Sequence, residues 1–268
     1  MKIPIPRKKR NLSFSDAIYN FFVMITGLTI FSMEYFKNLF VPPYDISEIK
    51  KHMDELGVKT FPIVSVTGLV IGVVLALQSQ PILVKFGAAD FLPKMVALSV
   101  IRELGPVITA LIFAGRVSSG IGAELGSMRV TEQIDAMEVS AINPFKYLVV
   151  TRITATTLIL PILSTYVVFL AIFGGYFAII TTQGMNFAYY QQSVVSSVQF
   201  GDFIPGIGKT LIFGFIVGLV GCYKGYMAEG GTEGVGKAST TAVVLASLLI
   251  LLVDTVLVKI TLVLWPTV

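Results

Sequence analysis

The chain has 268 residues, of which 54% are hydrophobic and only 13% are charged, about half the charged fraction of a typical soluble domain. Its single cysteine excludes an internal disulfide, and one cysteine with one histidine is too few for a zinc site or a Cys/His catalytic pair. The formal net charge of +4 requires no nucleic-acid partner, because anionic lipid at a cytoplasmic membrane surface suits basic segments equally well. The composition therefore indicates a membrane protein.

The N-terminal region, residues 1–59, is predicted to lie along the membrane surface without crossing it. Residues 17–33 are uncharged, but their number is at the lower limit for a span. If residues 13–40 stay on the cytoplasmic face, 15 lysines and arginines lie inside and 4 outside; a crossing would leave 9 inside and 10 outside, with Arg102 omitted from both counts. The positive-inside rule favours the first arrangement, in which a basic leader precedes an interfacial amphipathic helix.

A short elbow helix is predicted directly after this interfacial helix. Pro42-Pro43 ends the first helix, because proline cannot continue it. The stretch DISEIKKHMDELG then has an amphipathic pattern suited to the membrane surface. Asp45 is its expected N-cap and Gly57 its expected C-cap.

Five apolar stretches within residues 60–268 are predicted to be transmembrane helices, which makes the fold an all-α polytopic membrane protein. This topology places the N-terminus in the cytoplasm and the C-terminus outside. The predicted spans cover residues 60–84, 95–115, 153–180, 204–223 and 242–264; the segment at about 118–142 is cytoplasmic, and the segment at about 181–203 is external.

Small residues recur at intervals of four within two of the predicted spans. Such spacing lets helix backbones approach closely in a membrane. We therefore expect tight helix contacts at Gly68, Gly72 and Ala76 in the first span and at Gly214, Gly218, Gly221 and Gly225 in the fourth.

The stretch GGTEGVGKAST, residues 230–240, is close to a nucleotide-binding P-loop but lacks two of its requirements. Ala238 stands where a magnesium-binding serine or threonine belongs, and a predicted transmembrane helix precedes the stretch instead of a strand. The glycines are expected to shape a turn before the last span. The chain itself is therefore expected to bind no ATP or magnesium, and any ATP is expected to act through a partner.

The charged segment AELGSMRVTEQIDAMEVSAINPFKY, from Ala123 to Tyr147, is unusual in so apolar a chain. Its carboxylates recur at three-residue intervals on one helix face, beside a face of Ile and Met. Thr131 is a candidate cap for a second helical piece. Pattern alone leaves two readings open: a solvated cytoplasmic helix, or a helix whose acidic face and exposed Met and Ile side chains dock into a groove of another protein.

The same region resembles the MlaE/YrbE permease family, the membrane subunits of ABC transporters that move lipids together with MCE proteins. The resemblance is carried by the strings RELGP, AGR, AELG and TEQIDAMEV within residues 102–153, and again by LVGCYKGYMAEGGTEGVGKAS at residues 219–239. It extends over most of the chain from about Thr60 onward. The strings run without a gap over about fifty residues, so the resemblance is specific.

The resemblance implies a homodimeric permease in the bacterial inner membrane, with five spans per subunit, an N-terminal interfacial helix and a cytoplasmic coupling helix. It implies a cytoplasmic ABC ATPase that binds ATP and docks between spans two and three. A periplasmic MCE-domain protein and, in some systems, a small STAS-domain regulator are further implied partners, with lipid as the transported molecule.

The resemblance also implies two sets of site residues. At Thr151 and at Gln80-Pro81 the chain departs from the residues usual in the family, which affects the start of span three and the shape of the cavity. The coupling helix maps to Glu124, Arg129, Glu132, Gln133, Asp135, Met137 and Glu138, and a lipid cavity between the two subunits maps to Leu69, Leu77, Gln80, Arg102 and Glu103.

The charges within the second span have two interpretations. A charge in a membrane costs about 2.5–3.5 kcal/mol on insertion scales, so it is expected to serve a function or to be paired. Arg102 and Glu103 either line the polar part of a lipid path or pair with another helix, with Asp254 as a candidate partner. An ion-coupled secondary transporter that uses these three residues is the alternative function, although it predicts an inverted repeat that the sequence does not show. The third alternative, an enzyme that acts on lipid, would need clustered carboxylates or a nucleophile with a base, and the sequence offers neither.

Overall fold

The computed structural model describes residues 14–42 and 44–264, and these residues form helices without any strand, as the sequence predicts. The basic leader, Pro43 and residues 265–268 lie outside the described residues. The described α-helices are α1 (Phe14–Leu39), α2 (Ile46–Lys85), α3 (Leu92–Ser99), α4 (Gly105–Phe113), α5 (Ser119–Val130), α6 (Gln133–Val139), α7 (Thr151–Gln183), α8 (Phe187–Ser197), α9 (Phe200–Tyr226) and α10 (Gly231–Leu264).

Five helical stretches are long and apolar enough to cross a membrane, which confirms the predicted number of spans. The helix α1 is not among them, and its bounds agree with the predicted N-terminal helix. The second and third spans join shorter helices through π-helical turns. In chain order, the five spans are Ile46–Lys85, Ala89–Val130, Phe145–Thr182, Phe200–Tyr226 and Gly231–Leu264.

The predicted elbow helix is not a separate element, because α2 runs without a break from Ile46 to Lys85, through the first predicted span. The prediction that Gly57 is a C-cap is therefore wrong. A Cβ atom at Gly57 would lie 3.1 Å from the Ile159 side chain, so packing against α7 explains this glycine. Asp45 does precede the helix, but its side chain makes no capping hydrogen bond.

The small residues of the first and fourth spans lie at close helix crossings, as their spacing predicts. A Cβ atom at Gly72 would lie 1.8 Å from the Ala171 carbonyl oxygen, so α2 and α7 touch backbone to backbone. A Cβ atom at Gly214 would lie 2.5 Å from the Thr156 carbonyl oxygen, which brings α9 equally close to α7. The third span is therefore the helix against which the first and fourth are packed.

The bundle has two ends, which we name by the elements they carry. The coupling end carries residues 118–142, the coupling segment, and the α8 end carries α8 between the third and fourth spans. The helix α1 packs at the coupling end, where the buried Phe31 ring meets the rings of Phe145 and Tyr223 at 5.0 and 5.6 Å between centroids. The interfacial position of α1 remains a prediction.

The P-loop-like stretch forms the start of the last span rather than an extended turn. Gly230 and Gly231 adopt φ values of 90° and 69°, which glycine tolerates best, and so they do turn the chain. Gly234 and Gly236 lie inside α10, where the prediction of turn residues was wrong. In the described chain the helix α9, and not a strand, precedes this stretch, as the sequence predicts.

We predict that Gly72→Ala lowers the free energy of unfolding by about 1–3 kcal/mol, the usual cost of forcing extra volume into a packed contact. Gly208→Ala is the matched control, because a Cβ atom there meets nothing within 4 Å and alanine is the better helix former. Thermal unfolding of both variants in detergent measures the difference. Equal melting temperatures for the two variants would contradict the backbone contact at Gly72.

Candidate functional site

The coupling segment consists of two helices joined by a tight break. The helix α5 continues the second span and ends at Val130, and α6 begins at Gln133. Thr131 closes α5, with its hydroxyl donating to the Ser127 carbonyl at 2.8 Å, so the prediction that it caps a second piece is wrong. Glu132 takes that position instead, with a left-handed φ of 60° and no capping hydrogen bond from its side chain.

The apolar face of the coupling segment is turned into the protein, contrary to the expectation of exposed Met and Ile side chains. Ile134 is fully buried, and Met128 and Met137 pack against the same core cluster. Two apolar side chains face outward, at the end of α6 and just after it: Val139 is 90% exposed and Ile142 is 48% exposed. A partner that docks here meets Val139 rather than Ile134.

The carboxylates of the coupling segment divide into paired and unpaired groups. Glu124 accepts a hydrogen bond at 2.7 Å from Arg152, a side chain that is only 5% exposed, and so α5 is fastened to the start of the third span. Asp135 pairs with Arg129 at 2.5 Å across the break. Glu132, Gln133 and Glu138 are exposed, and neither of the two glutamates has an ion pair within residues 14–42 and 44–264.

A cleft of about 530 Å³ lies beside the coupling segment. The helix α1 contributes Glu34 and Asn38 to its wall, and the turn after the fourth span contributes Glu229. Four carboxylates and one cation line the cleft, which is therefore predominantly acidic: Glu34, Asp135, Glu138 and Glu229, with Arg129.

Five of the charged residues inside the spans form a second cluster, the charge cluster: Arg102, Glu103, Asp202, Lys209 and Asp254. Arg102 donates a hydrogen bond from Nε to one Asp202 oxygen at 2.7 Å, and its Nη2 lies 2.6 Å from the same oxygen. The other Asp202 oxygen accepts from the Gln199 backbone at 2.9 Å and so caps α9. The Asp202 carboxylate therefore caps the start of the fourth span and also binds this span to the second.

Lys209 joins three spans within this charge cluster. Its ammonium donates to Glu103 of the second span at 2.6 Å and lies 3.3 Å from an Asp254 oxygen of the fifth. The Lys209 side chain is only 4% exposed, whereas Glu103 is 39% exposed. The pairing predicted between Arg102-Glu103 and Asp254 is thus corrected: Asp254 reaches Glu103 through Lys209, and Arg102 pairs with Asp202 instead.

Local sequence explains how the cluster is assembled. A Cβ atom at Gly206 would lie 2.5 Å from the Ile101 carbonyl oxygen, and so glycine lets α9 approach the π-helical turn that carries Arg102. Pro106 has no N–H to donate to the Arg102 carbonyl four residues earlier, and Lys209 donates to that carbonyl at 3.4 Å. On α10, Asp254 continues the buried series Ala238, Ala242, Ala246 and Ile250 at four-residue intervals.

Sequence reasoning missed Asp202 and Lys209, which it assigned to the external side. Both had a detectable signal, because Asp202, Gly206 and Lys209 share one helix face at intervals of four and three residues. Lys209 is the only charged residue between positions 203 and 223, and its place on the glycine side of the helix indicates a buried partner.

The other cavity residues lie on the first span. Leu69 and Leu77 are 36% and 45% exposed, and Gln80 is half-buried. Neither they nor Arg102 and Glu103 line the cleft beside the coupling segment or a second cavity of about 340 Å³ at the α8 end. Their assignment to a lipid cavity stays a prediction, since the predicted cavity lies between two copies.

We predict that Lys209→Met destabilises the chain by about 3–5 kcal/mol, because it leaves the carboxylates of Glu103 and Asp254 without their cation in a medium of low dielectric constant. Adding Glu103→Gln and Asp254→Asn to Lys209→Met is expected to restore most of this loss. Unfolding in bicelles measures both changes, and Lys85→Met, an exposed lysine at the end of α2, is the control. A single Lys209→Met variant as stable as the wild type would rule out the assigned pairing.

The comparisons with known proteins agree with this architecture. Residues 49–260 match the protein family described as Permease MlaE. A probable ABC transporter permease protein of Rickettsia typhi is 38% identical over 223 residues, which cover 83% of this chain and 86% of the relative. The intermembrane phospholipid transport system permease protein MlaE of Haemophilus influenzae is 36% identical over 208 residues, 77% of this chain and 80% of the relative. The chain therefore belongs to the MlaE permease family.

Proposed function

We propose that this chain is the permease subunit of an ABC transporter that moves phospholipid or a related lipid between the inner and outer membranes. As a member of a permease family, it is a transport component rather than an enzyme. The observation that carries the proposal is the coupling segment, in which α6 presents Glu138 and Val139 outward, directly after α5, the continuation of the second span. The names of the relatives favour an ATP-driven system over the ion-coupled alternative.

The coupling segment is built to transmit a force from a docked ATPase. The Glu124–Arg152 pair joins the continuation of the second span to the start of the third, and Ile134 anchors α6 in the core. An ATPase that pulls on Glu138 and Val139 therefore moves both spans together. In this proposal, ATP and magnesium bind to the partner, and the permease performs no chemistry.

The intramembrane charge cluster is proposed to border the lipid path. Arg102 and Glu103 have side chains that are 33% and 39% exposed, while their partners Asp202 and Lys209 are buried. The two residues thus turn a polar face outward from the single bundle. A second copy of the chain covers that face in the proposal, and Leu69, Leu77 and Gln80 of the first span supply its apolar part.

The proposed location is the bacterial inner membrane, with the N-terminus in the cytoplasm and the C-terminus in the periplasm. Because Lys209 is buried in ion pairs, it no longer counts as an external charge, and the lysine and arginine count becomes 15 inside and 3 outside. This asymmetry supports the coupling end as the cytoplasmic end. A periplasmic MCE-domain protein and a STAS-domain regulator are further proposed partners.

We predict that Glu138→Lys combined with Val139→Asp abolishes co-purification of the ATPase without a change in melting temperature, because both side chains are exposed and unpaired in the described chain. Asp54→Lys, which reverses an exposed carboxylate on α2 outside the coupling segment, is the control for the Glu138→Lys reversal and is expected to retain the ATPase. Pull-down of the ATPase by tagged permease measures the difference. Normal ATPase recovery with the double variant would disprove docking at this surface.

We also predict that Glu103→Gln lowers lipid transfer by about tenfold in the assembled complex. The fold is expected to be preserved, because Lys209 keeps its contact with Asp254. Transfer of labelled phospholipid from proteoliposomes under ATP measures the rate. Unchanged transfer in a stable complex that still hydrolyses ATP would show that Glu103 is structural and does not contact lipid.

A further inference from the structure

A second cavity, of about 340 Å³, opens at the α8 end, and none of its lining residues belongs to the coupling segment or the charge cluster. Its volume falls within the range of about 300–1,000 Å³ that is typical of small-molecule sites. The start of the second span forms one wall and α8 forms the other. The lining residues are Asp90, Phe91, Lys94, Tyr189, Gln192, Ser193 and Ser196.

Two opposite charges face this cavity without pairing to each other. Asp90 and Lys94 are one helical turn apart, a spacing that commonly allows an ion pair. No ion pair joins them, and neither pairs with another residue in the described ranges; Lys94 instead lies 5.6 Å above the centre of the Phe91 ring. The cavity therefore offers a free cation and a free anion side by side.

A hydroxyl group without a partner in the described chain lines the cavity beside these charges. Ser193 is only 8% exposed as a residue, and its hydroxyl makes no hydrogen bond to the described part of the chain. Ser196 satisfies its own hydroxyl by donating to the Ser193 carbonyl at 3.1 Å. The Ser193 oxygen is not fully enclosed, so its hydroxyl is available to donate to a ligand oxygen in the cavity.

The walls of the cavity are held in place by packing. Tyr190, next to the lining residue Tyr189, is buried and donates to the Ile172 carbonyl at 2.8 Å, which fastens α8 to the third span. Gly175 allows this approach, since a Cβ atom there would lie 2.9 Å from Val96 and 3.2 Å from the Tyr190 hydroxyl. The site is thus preformed, although it opens at the surface.

We propose that this cavity binds the zwitterionic headgroup of a phospholipid, of the phosphoethanolamine class, from the leaflet at the α8 end. Lys94, Gln192 and Ser193 bind the phosphate oxygens, and Asp90 binds the ammonium group. Phe91 and Tyr189, which are 61% and 45% exposed, are aromatic side chains of the kind that lie at membrane interfaces, where they contact the glycerol and upper acyl region. The proposal goes beyond the transport function and needs no ATPase, so its failure would leave that function untouched.

The reactivity of Lys94 toward a water-soluble acylating reagent tests the proposal at the site itself. The full chain, with the subunits it retains on purification, is placed in nanodiscs of phosphatidylethanolamine with phosphatidylglycerol, or of phosphatidylglycerol alone, without ATP. Peptide mass spectrometry follows Lys94, and Lys85 at the same end is the internal reference. We expect Lys94 to react at least fivefold more slowly, relative to Lys85, when the ethanolamine lipid is present.

Two variants assign the contacts, and one serves as a control. Asp90→Asn is expected to abolish the difference between the two lipid mixtures, and Ser193→Ala to raise the Lys94 rate in both. Ser197→Ala, on the same helix with its hydroxyl bonded to the Val194 carbonyl, is expected to behave as wild type. Melting temperatures within two degrees of wild type are required of each variant.

Two results would overturn the proposal. Equal Lys94 rates in both lipid mixtures, with no effect of Asp90→Asn, would show that no zwitterionic headgroup is held. Equal protection by soluble phosphoethanolamine in nanodiscs of phosphatidylglycerol alone, at the same low millimolar concentration, would assign the cavity to a soluble phosphate ester instead of a lipid. Protection by the membrane lipid with little protection by the soluble compound is the expected outcome.

Discussion

The buried ammonium of Lys209 is the constraint on which the arrangement of the spans depends. A charge in a membrane is stable only when it is paired and hydrogen-bonded, and Lys209 finds carboxylates on two other helices. The second, fourth and fifth spans must therefore meet at one depth. The Arg102–Asp202 pair fixes the same second and fourth spans again nearby, so their relative register is specified twice.

Small residues make this electrostatic arrangement sterically accessible. Two helices in a membrane have no hydrophobic drive toward each other, and close packing with polar contacts supplies the attraction instead. Gly206 brings α9 against the Ile101 backbone, and only at that separation does Lys209 reach both Glu103 and the Arg102 carbonyl. Replacing the glycine would remove the ion pairs without touching a charged residue, so packing and charge in this bundle are not independent.

The number of spans could be predicted because apolar length is a local property of the sequence, and the identity of the charge partners could not. Glu103 and Lys209 are 106 residues apart, and nothing local connects them. The positive-inside count treated Lys209 as a water-exposed charge, since composition does not distinguish a buried lysine from an exposed one. Ile134 was misplaced for a similar reason: its periodicity identified an apolar face correctly, but only the tertiary structure shows which partner covers that face.

The second span connects the two functional regions as one helix. Glu124 and Glu103 are 21 residues apart along it, about 30 Å at the rise of an α-helix. Two π-helical turns interrupt that path, at Val100–Leu104 and Ala114–Ser118, and such turns are concentrated at functional sites in proteins. A π turn holds an extra residue within the helix, so the helix can change its rotation there without unfolding. Since Glu124 and Arg152 fasten the coupling end of this span to the third span, a displacement of the coupling segment in the proposed mechanism would be taken up at these turns. The turn at Val100–Leu104 carries Arg102 and Glu103 themselves. A rotation of the helix there would change how far these two side chains project from the bundle, while Asp202 and Lys209 stay buried on the fourth span.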